Sequence, residues 1–499
     1  MEIISANVKN KWLLKGNVVC ENMKKMVLTG LLLFALLALA LTFKAERVRA
    51  SPKDIWVPYN YPTIQAAINA ADSGDVIHVA SGTYAPAVVN KSLTLIAEGE
   101  AIIQGQGAEE VIGFRVVASS VSIYNFKIEN VGEERPYDSY GIYLDGGWSN
   151  IASCIVENNH IRNFNTGIFS VNVFDSHVFN NTITNCYGGI DITASSNNYI
   201  VANTIYNSTG GGIYIGYSNF NVISDNNVTM IYSYANSRGI GMQKNSNNTI
   251  YNNWINCSGF SVVAESASDN LIFHNNFVGN NSVEFYPPIS INNKWFLEWP
   301  VGGNFWSSHT SPDVKSGQYQ NEPGSDGICD NYYTIAEGVI DAYPLMGPCN
   351  RFEVQFGPLP SKQEISVISN SSISDFQMNT TQKTISFNVT GESGIGFCRV
   401  DIPNVIVSGL WKNNYKVLVN GQEPLYIRNW TSGATTYIYF QYQHSTKEVV
   451  IVPEFQSALI PTLLILSTII IFTKKLSHRK QQTNPFIFPF NPHKHQSSC

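Results

Sequence analysis

A chain of 499 residues, 44% apolar and 14% charged, is long enough for two or three domains and too apolar to be disordered. Its formal net charge of −6 is modest, and its 31 Lys and Arg residues are dispersed along the chain. Nothing in this charge distribution favours a nucleic-acid partner.

The first predicted element is a secretory signal peptide. A basic start at residues 23–25 precedes an apolar run at 26–41 and a small-residue exit that ends at Ala50. Residues 1–50 are therefore interpreted as an upstream extension and a signal peptide cleaved after Ala50. An uncleaved N-terminal anchor is the alternative. Eleven Asn-x-Ser/Thr sequons follow, and export would permit their glycosylation.

The exported chain opens with a predicted N-terminal cap, residues 54–90, in which residues 63–71 form a short amphipathic helix. After the cap, three series of apolar residues recur at spacings close to 22 residues. The first series consists of Gly-Ile pairs that begin at Gly141, Gly167, Gly189, Gly212 and Gly239. The second contains Ile128, Ile161, Ile183, Ile205, Val228, Ile255 and Val278. The third contains Ile200, Ile223, Ile250 and Ile272.

Three short strands in each repeat are typical of a solenoid, in which every coil buries its inward residues against its neighbours. The abundant Asn residues fit the corners, because Asn tolerates the left-handed backbone and can hydrogen-bond the coils above and below. No Leu ladder and no period near forty residues is present, which excludes leucine-rich repeats and propeller blades. The predicted fold class is all-β, with a right-handed parallel β-helix whose coils occupy residues 91–300.

The segment "GNFWSSHTSPDVKSGQYQNEPGSDGICDNYYTIAEGVIDAYPLM" closes the predicted β-helix within residues 301–350. It resembles the closing segment of NosD-like proteins, and the opening "YPTIQAAINAADSGDVIHVASGTY" and the coils resemble NosD-like and CASH-domain proteins of the pectin-lyase-like superfamily. The resemblance covers residues 54–348 and implies the right-handed parallel β-helix fold. NosD-like proteins are often described as copper-binding, but the exported His and Met residues are scattered and do not support that role.

Calcium is the one cofactor that the sequence suggests. Asp326 and Asp330 lie in the oxygen-rich stretch "GSDGICDNYY", which could wrap a hard cation. The alternative is a turn in which both carboxylates cap backbone amides. In an exported protein, Cys329 and Cys349 are the predicted disulfide, because they flank one compact segment.

The candidate binding residues face outward after the Ile of each Gly-Ile pair. They are Tyr143, Phe169, Asp191 and Tyr214, with Arg238 on a long coil nearby. Two long coils project before their Gly-Ile pairs and flank two short coils, which predicts a trough roughly 19 Å long that would suit a few sugar rings. Asp191 is also the candidate catalytic residue of a polysaccharide lyase or glycoside hydrolase, although its nearest acidic partner, Asp145, is two coils or about 10 Å away. A scaffold without a ligand is the third interpretation.

The character of the chain changes after residue 350. Residues 351–452 alternate apolar and polar residues between turns, which predicts a β-sandwich. Residues 455–473 carry no charge and are followed by Lys and Arg, which predicts a transmembrane helix with a cytoplasmic tail at 474–499. The predicted protein is thus a single-pass protein on the extracellular face of the membrane, associated with the envelope or S-layer. Its β-helix is expected to bind or present to carbohydrate, an extracellular polysaccharide or glycan, without catalysis.

Overall fold

The computed structural model describes residues 51–107, 110–132, 136–230, 237–279, 282–286, 290–358 and 361–454. The predicted signal peptide, transmembrane helix and cytoplasmic tail lie outside these ranges. Within the described ranges, no helix is both long and apolar enough to cross a membrane. The described residues from Asp54 onward belong to one compact unit.

The first part of this unit is an all-β parallel solenoid of the right-handed type. One face is a nine-stranded sheet, called here the Gly-Ile sheet. In chain order it contains Ala87–Val89, Val111–Val116, Ser139–Asp145, Thr166–Val171, Gly188–Thr193, Gly211–Gly216, Arg238–Gln243, Phe260–Glu265 and Val283–Tyr286. A two-stranded sheet of Ile151–Ala152 and Val173–Phe174 lies at one corner.

An eighteen-stranded sheet forms the remaining faces of the solenoid. It contains Asp54–Val57, Val76–Tyr84, Thr94–Gly105, Ser122–Tyr124, Lys127–Asn130, Ile155–Glu157, His160–Arg162, His177–Phe179, Thr182–Thr184, Tyr199–Val201, Thr204–Tyr206, Val222–Ser224, Asn227–Met230, Thr249–Tyr251, Trp254–Cys257, Leu271–Phe273, Asn276–Gly279 and Phe305–Trp306. The first coils are closed by the helix Ile64–Ala70, whose N-cap Thr63 accepts a hydrogen bond from the Ala66 N–H.

The register confirms the predicted repeat. Ile168 pairs with Ile190 on the Gly-Ile sheet, and Ile161 pairs with Ile183 on the opposite face, so each coil advances by 22 residues here. The prediction for Val278 was wrong. Phe277 pairs with Ile255 and is buried, and its ring stacks on Trp306 with centroids 4.4 Å apart, so Val278 is displaced from the inward position.

The Gly-Ile pairs have a steric cause. A Cβ on Gly212 would lie 2.5 Å from the carbonyl oxygen of Gly239 in the next coil, and a Cβ on Gly189 would lie 2.5 Å from the carbonyl oxygen of Gly212. These coils approach too closely at this corner for any side chain, so glycine is required there. The requirement ends at the coil of Phe260–Glu265, where the buried Ser261 stands opposite Gly239.

A row of buried asparagines runs through the coils and is called here the inner ladder. Its members are Asn159, Asn181, Asn203, Asn226, Asn253, Asn275 and Asn304. Each Nδ2 donates to the Oδ1 of the next member at 2.9–3.0 Å, and that same Oδ1 accepts the backbone N–H of the preceding member. The ladder therefore satisfies backbone groups that the corners would otherwise leave buried and unpaired.

The inner ladder ends at a carboxylate in the closing segment. Asp341 is fully buried, and its Oδ2 accepts the Asn304 N–H at 2.7 Å and the Trp306 Nε1–H at 3.0 Å. The closing segment contains the short strands Lys315–Ser316, Glu322–Pro323, Tyr333–Ala336 and Val339–Asp341. Burial raises the pKa of Asp341 to about 7, although the hydrogen bonds from its donors act in the opposite direction.

Two antiparallel sheets follow the solenoid. One contains Cys349–Gln355, Lys362–Ser369, Ile395–Pro403, Tyr426–Ser432 and Thr435–Gln443, and the other contains Ser372–Asn379, Thr384–Thr390, Tyr415–Val419 and Lys447–Pro453. Both sheets contribute to one apolar core, as predicted for residues 351–452. The sequence prediction missed the helix Asn404–Trp411, which follows Pro403 and buries Ile406, Val407, Leu410 and Trp411 in that core.

The second part packs directly on the solenoid. Arg351 donates to Asp225 at 2.5 Å and also contacts Glu364 at 2.6 Å. The fully buried Arg399 forms an ion pair with Asp401 and donates to the carbonyl oxygen of Val301 at 3.0 Å. The two-sheet part thus covers the closing end of the solenoid.

The predicted disulfide is absent from the structure. Cys329 and Cys349 are both buried free thiols. Cys329 Sγ lies 3.9 Å from Met346 Sδ, whereas Cys349 begins a strand whose backbone is held by the side chain of Asn276. Closeness in the sequence therefore does not pair these two thiols, because Cys329 packs against Met346, whereas Cys349 lies in an apolar cluster with Ile368 and Phe397.

Candidate functional site

The Gly-Ile sheet presents the predicted residues in one outward row. The register pairs Tyr143 with Phe169, Phe169 with Asp191, and Asp191 with Tyr214. Tyr214 pairs in turn with Gly241. The glycine spacing therefore predicted this alignment correctly.

A cavity of about 420 Å³ lies over the middle of the row and is called here the outer-face cavity. Among its lining residues are Tyr137, Tyr187, Asp191, Tyr214 and Arg238. The structure thus brings three of the predicted binding residues, Asp191, Tyr214 and Arg238, to one place.

The floor of the outer-face cavity consists of bare backbone. In the neighbouring outward row, Gly188 and Gly211 stand between Thr166 and Arg238. A Cβ on Gly211 would meet no atom closer than 3.8 Å, so nothing fills the space above it. The cavity is therefore deep because these two positions are glycine and carry no side chain.

Asp191 is the acidic group of this cavity. Thr193 Oγ1 donates to Asp191 Oδ1 at 2.9 Å. Burial raises the pKa of Asp191 to about 6, while this hydrogen bond and the nearby Arg238 cation act in the opposite direction. Asp191 can accept hydrogen bonds from a ligand, and near neutral pH it can also hold a proton.

Arg238 and Tyr214 form the opposite wall. The Arg238 guanidinium lies over the Tyr214 ring, 4.9 Å from its centroid. The Tyr214 hydroxyl donates to Gln243 Oε1, and Gln243 Nε2 donates to Glu265 Oε2 at 2.6 Å. This chain of contacts fixes the orientation of the Tyr214 ring.

Tyr143 and Phe169 lie on the two preceding coils, outside the lining of the outer-face cavity. Their rings stack on each other with centroids 5.1 Å apart, and Tyr140 stacks on Phe169 at 4.9 Å. Much of their aromatic surface is therefore used within the protein. The second of the two long coils also contributes Tyr232 and Tyr234 as expected walls of the trough, and both lie outside the described residues.

The carboxylate that could assist Asp191 has another partner. Asp145 Oδ2 accepts hydrogen bonds from Arg115 Nε at 3.0 Å and Arg115 Nη2 at 2.6 Å. Asp145 also lies in another row, two residues further along each strand, where it pairs with Val171. Among the described lining residues of the outer-face cavity, Asp191 is the one carboxylate.

The loop predicted to bind calcium holds its carboxylates on protein donors. Asp326 is buried, and its oxygens accept hydrogen bonds from Trp299 Nε1 at 2.7 Å, Gln320 Nε2 at 3.1 Å and the Ile328 N–H at 3.1 Å. Burial raises the pKa of Asp326, and these donors act in the opposite direction.

Asp330 lies in the same loop and caps backbone amides. Its Oδ1 accepts the N–H groups of residues 314 and 315 at 3.1 and 3.0 Å. Asp313, which the sequence analysis missed, caps Asp326 and Gly327 in the same way at 3.0 and 2.9 Å. The geometry is that of the turn considered as the alternative, and calcium binding stays a prediction.

Several site residues escaped the sequence analysis. Tyr187 is half exposed, and its ring lies over Gly210. Gln243, one coil away, contacts Tyr214 and is held by Glu265, two coils away. The available signal was the pair of successive glycines in "YGGI" and "TGGGI", which removes side chains from the outer surface as well as from the corner.

Comparisons with known proteins fit this architecture. Residues 102–311 match the family described as "Periplasmic copper-binding protein (NosD)". A "Cell surface glycoprotein" of Methanothermus fervidus is 28% identical over 345 residues, and the match covers 55% of this chain and 56% of the relative. The chain thus spans about half the length of this curated relative.

Solved structures show only distant similarity. ORF18 of Geobacillus virus E2 matches with a TM-score of 0.33 and 14% identity, covering 68% of this chain and 69% of the other. A PL6 alginate lyase in complex with a trisaccharide matches with a TM-score of 0.29 and 13% identity, covering 55% and 69%. Scores this low support no inference about activity.

The described residues do not fit a copper site. They contain no group of three or more His, Cys, Asp or Glu side chains that could hold a metal ion. The imidazoles have separate environments: His177 stacks on Tyr199, and His274 Nε2 lies 3.1 Å from the carbonyl oxygen of Val301. The copper-binding role of the matched family is therefore not assigned to this chain.

Proposed function

We propose that this chain, whose residues 102–311 form a NosD-like parallel β-helix, is a cell-surface protein that binds carbohydrate on its Gly-Ile sheet. The observation that carries the proposal is the outer-face cavity, where aromatic side chains surround a glycine floor with one carboxylate and one guanidinium. Small polar ligands are recognised by such a combination of flat apolar surface and a few convergent polar groups.

The chemistry of the cavity suits sugar rings. Tyr137 is 85% exposed and Tyr187 is 50% exposed, so both offer ring faces on which the C–H face of a pyranose can stack. Asp191 accepts hydrogen bonds from hydroxyl groups, and Arg238 donates them. The backbone floor allows a ring to approach without displacing a side chain.

The cell-surface part of the proposal is supported by the relative from Methanothermus fervidus, which is a "Cell surface glycoprotein". The predicted signal peptide and the uncharged run at 455–473 agree with an exported, membrane-anchored chain. A test is protease treatment of intact cells, which should remove the β-helix while leaving cytoplasmic proteins uncut. Protection of the β-helix would refute this placement.

A polysaccharide lyase or glycoside hydrolase is the second candidate function. The raised pKa of Asp191 favours it, because a carboxyl that holds a proton near pH 6 can act as a general acid. Two-carboxylate hydrolysis needs a partner, and the described lining supplies Asp191 alone. Carbohydrate binding without cleavage is therefore the better supported function.

The test is incubation of the protein with a panel of polysaccharides, with and without calcium, scoring both retention and new reducing or unsaturated ends. We expect retention without new ends. Gly211→Val should abolish retention, because it fills the cavity without a clash at Cβ. Thr204→Val is the matched control, since Thr204 is exposed on another face of the solenoid.

Retention that survives Gly211→Val would remove the outer-face cavity from the proposal. New chain ends that disappear in Asp191→Asn would instead establish the enzyme. No retention of any polysaccharide would leave a structural surface protein as the remaining interpretation.

A further inference from the structure

A second cavity adjoins the outer-face cavity along the solenoid axis. It has a volume of about 200 Å³ and is lined by Tyr214, Arg238, Met242, Gln243, Val263, Glu265 and Tyr286. Tyr214 and Arg238 line both cavities, so the stacked Arg238–Tyr214 pair is their shared wall. A chain-like ligand in the outer-face cavity therefore reaches the second cavity by passing over this pair.

The charges along the two cavities favour a ligand without carboxylates. Asp191 lines the first cavity and Glu265 lines the second, and Arg238 is the one cation among the described residues that line either. The outward row continues with Glu284, which pairs with Val263. An anionic sugar here would meet more negative than positive charge.

Arg238 is also already engaged. Its guanidinium lies over the Tyr214 ring, and its charge acts on Asp191. The nearest other arginine of this sheet, Arg115, forms an ion pair with Asp145. The ion pair removes Arg115 as a partner for a ligand carboxylate, whereas Arg238 keeps its N–H edge, because stacking on Tyr214 uses the face of the guanidinium. A uronate would therefore meet this one cation beside the carboxylates of Asp191 and Glu265.

We propose that the two cavities form one continuous binding groove for an uncharged glycan, with its chain lying along the solenoid axis. This inference rests on the proposed carbohydrate-binding function and specifies its ligand. Asp191 and Glu265 accept hydrogen bonds from ring hydroxyls, and Arg238 donates to a hydroxyl or ring oxygen at the shared wall.

The ends of the groove carry exposed aromatic rings. Tyr137 lies at the first cavity, and Tyr286, which is 43% exposed, lies at the second. The lining residues that lie on strands belong to six successive strands of the Gly-Ile sheet, from Thr166–Val171 to Val283–Tyr286. Five strand spacings amount to roughly 24 Å, which is about the length of five extended sugar rings.

The experiment measures binding of the full-length protein to an array of neutral and uronate oligosaccharides of two to eight residues. Affinity for a neutral chain should rise with length and level off at about five residues. A uronate chain of the same length should bind about tenfold more weakly, as expected for one unfavourable charge contact near a protein surface. Glu265→Gln should reduce the difference in affinity between neutral and uronate chains, because it removes one negative charge from the second cavity. Glu157→Gln, on another face of the solenoid, should leave that difference unchanged.

The possible failures are distinct. If uronate chains bind as tightly as neutral chains or more tightly, the inferred ligand is wrong and carbohydrate binding stands. If affinity levels off at two residues, the two cavities do not act as one groove. If no glycan of either kind binds, this inference and the proposed function both fail.

Discussion

Replacing Asn226 by alanine removes one member from the middle of the inner ladder. The Oδ1 of Asn226 accepts the Asn203 N–H at 2.9 Å, and its Nδ2 donates to the carbonyl oxygen of Ile200 at 2.8 Å and to Asn253 Oδ1 at 2.9 Å. The side chain is buried, so water cannot replace these partners. The substitution leaves the Asn203 N–H without an acceptor inside the protein.

An unpaired buried N–H costs about 1–3 kcal/mol, and each further hydrogen bond that is lost adds about 0.5–1.5 kcal/mol. Asn226 Oδ1 also accepts a hydrogen bond from Asn203 Nδ2 at 3.0 Å, so three further hydrogen bonds are lost. We therefore expect Asn226→Ala to lower the free energy of unfolding by roughly 2.5–7.5 kcal/mol. Asn227→Ala is the control, because Asn227 is exposed and its Oδ1 accepts only the nearby Thr229 hydroxyl at 3.1 Å. A surface change of this kind should stay within about 0.5 kcal/mol.

The assay is urea unfolding of both variants, made in a host without N-glycosylation because Asn227 begins a sequon. The unfolding midpoint of Asn226→Ala should fall clearly below that of Asn227→Ala. Equal midpoints would show that the inner ladder contributes no net stability. The buried backbone groups at the corners would then not depend on it.

Three further predictions concern other parts of the fold. Gly212→Ala should lower the melting temperature far more than Gly211→Ala, because only a Cβ on Gly212 meets a backbone oxygen at 2.5 Å; equal shifts would contradict the steric account. Asp341 has a folded pKa of about 7, above the usual carboxyl value, so the stability that it contributes is full below pH 4 and is lost as pH rises to 7. The stability of the wild type relative to Asp341→Asn should therefore be greater at pH 5 than at pH 8, and a difference that is independent of pH would refute the buried titration. Cys329 and Cys349 should react with a thiol reagent once the protein is unfolded, even when no reductant is added, and should not react in the folded protein. A peptide pair linked by a Cys329–Cys349 disulfide in mass spectrometry would contradict the two free thiols.

The coil register was predictable because it depends on a steric rule that one residue type satisfies. From Gly113 to Gly239, a Cβ at the Gly-Ile corner would collide with the backbone of the next coil, so glycine marks these coils in the sequence. The inward Ile residues follow from that mark by simple alternation. The alignment of Asp191 with Tyr214 came from this rule alone.

The same rule does not predict which of Phe277 and Val278 points into the core. Both are apolar and adjacent, so alternation allows either to face the core. Stacking of Phe277 on Trp306, which comes from the closing segment, decides between them. Such contacts join parts of the chain that local patterns cannot connect.

The candidate site was only partly predictable for a related reason. The sequence places Tyr143 and Phe169 on the correct surface, but it does not show that their rings stack on each other. A search of the sequence for binding residues selects side chains that could contact a ligand. The outer-face cavity, in contrast, exists because Gly188 and Gly211 carry no side chain. The spacing of the Gly-Ile pairs predicts the short turns of the middle coils, but it does not predict that the surface between them lacks side chains.

The inner ladder has an electrostatic direction. Every amide donates toward the following coil and accepts from the preceding one, so the amide dipoles are aligned along the solenoid axis instead of cancelling. Aligned dipoles place partial positive charge at the end that donates, as they do at a helix N-terminus. Asp341 lies at that end, so the ladder favours its ionised form, in opposition to the burial that raises its pKa. A solenoid lengthened by one coil would keep both the direction of this field and the position of the anion that terminates it.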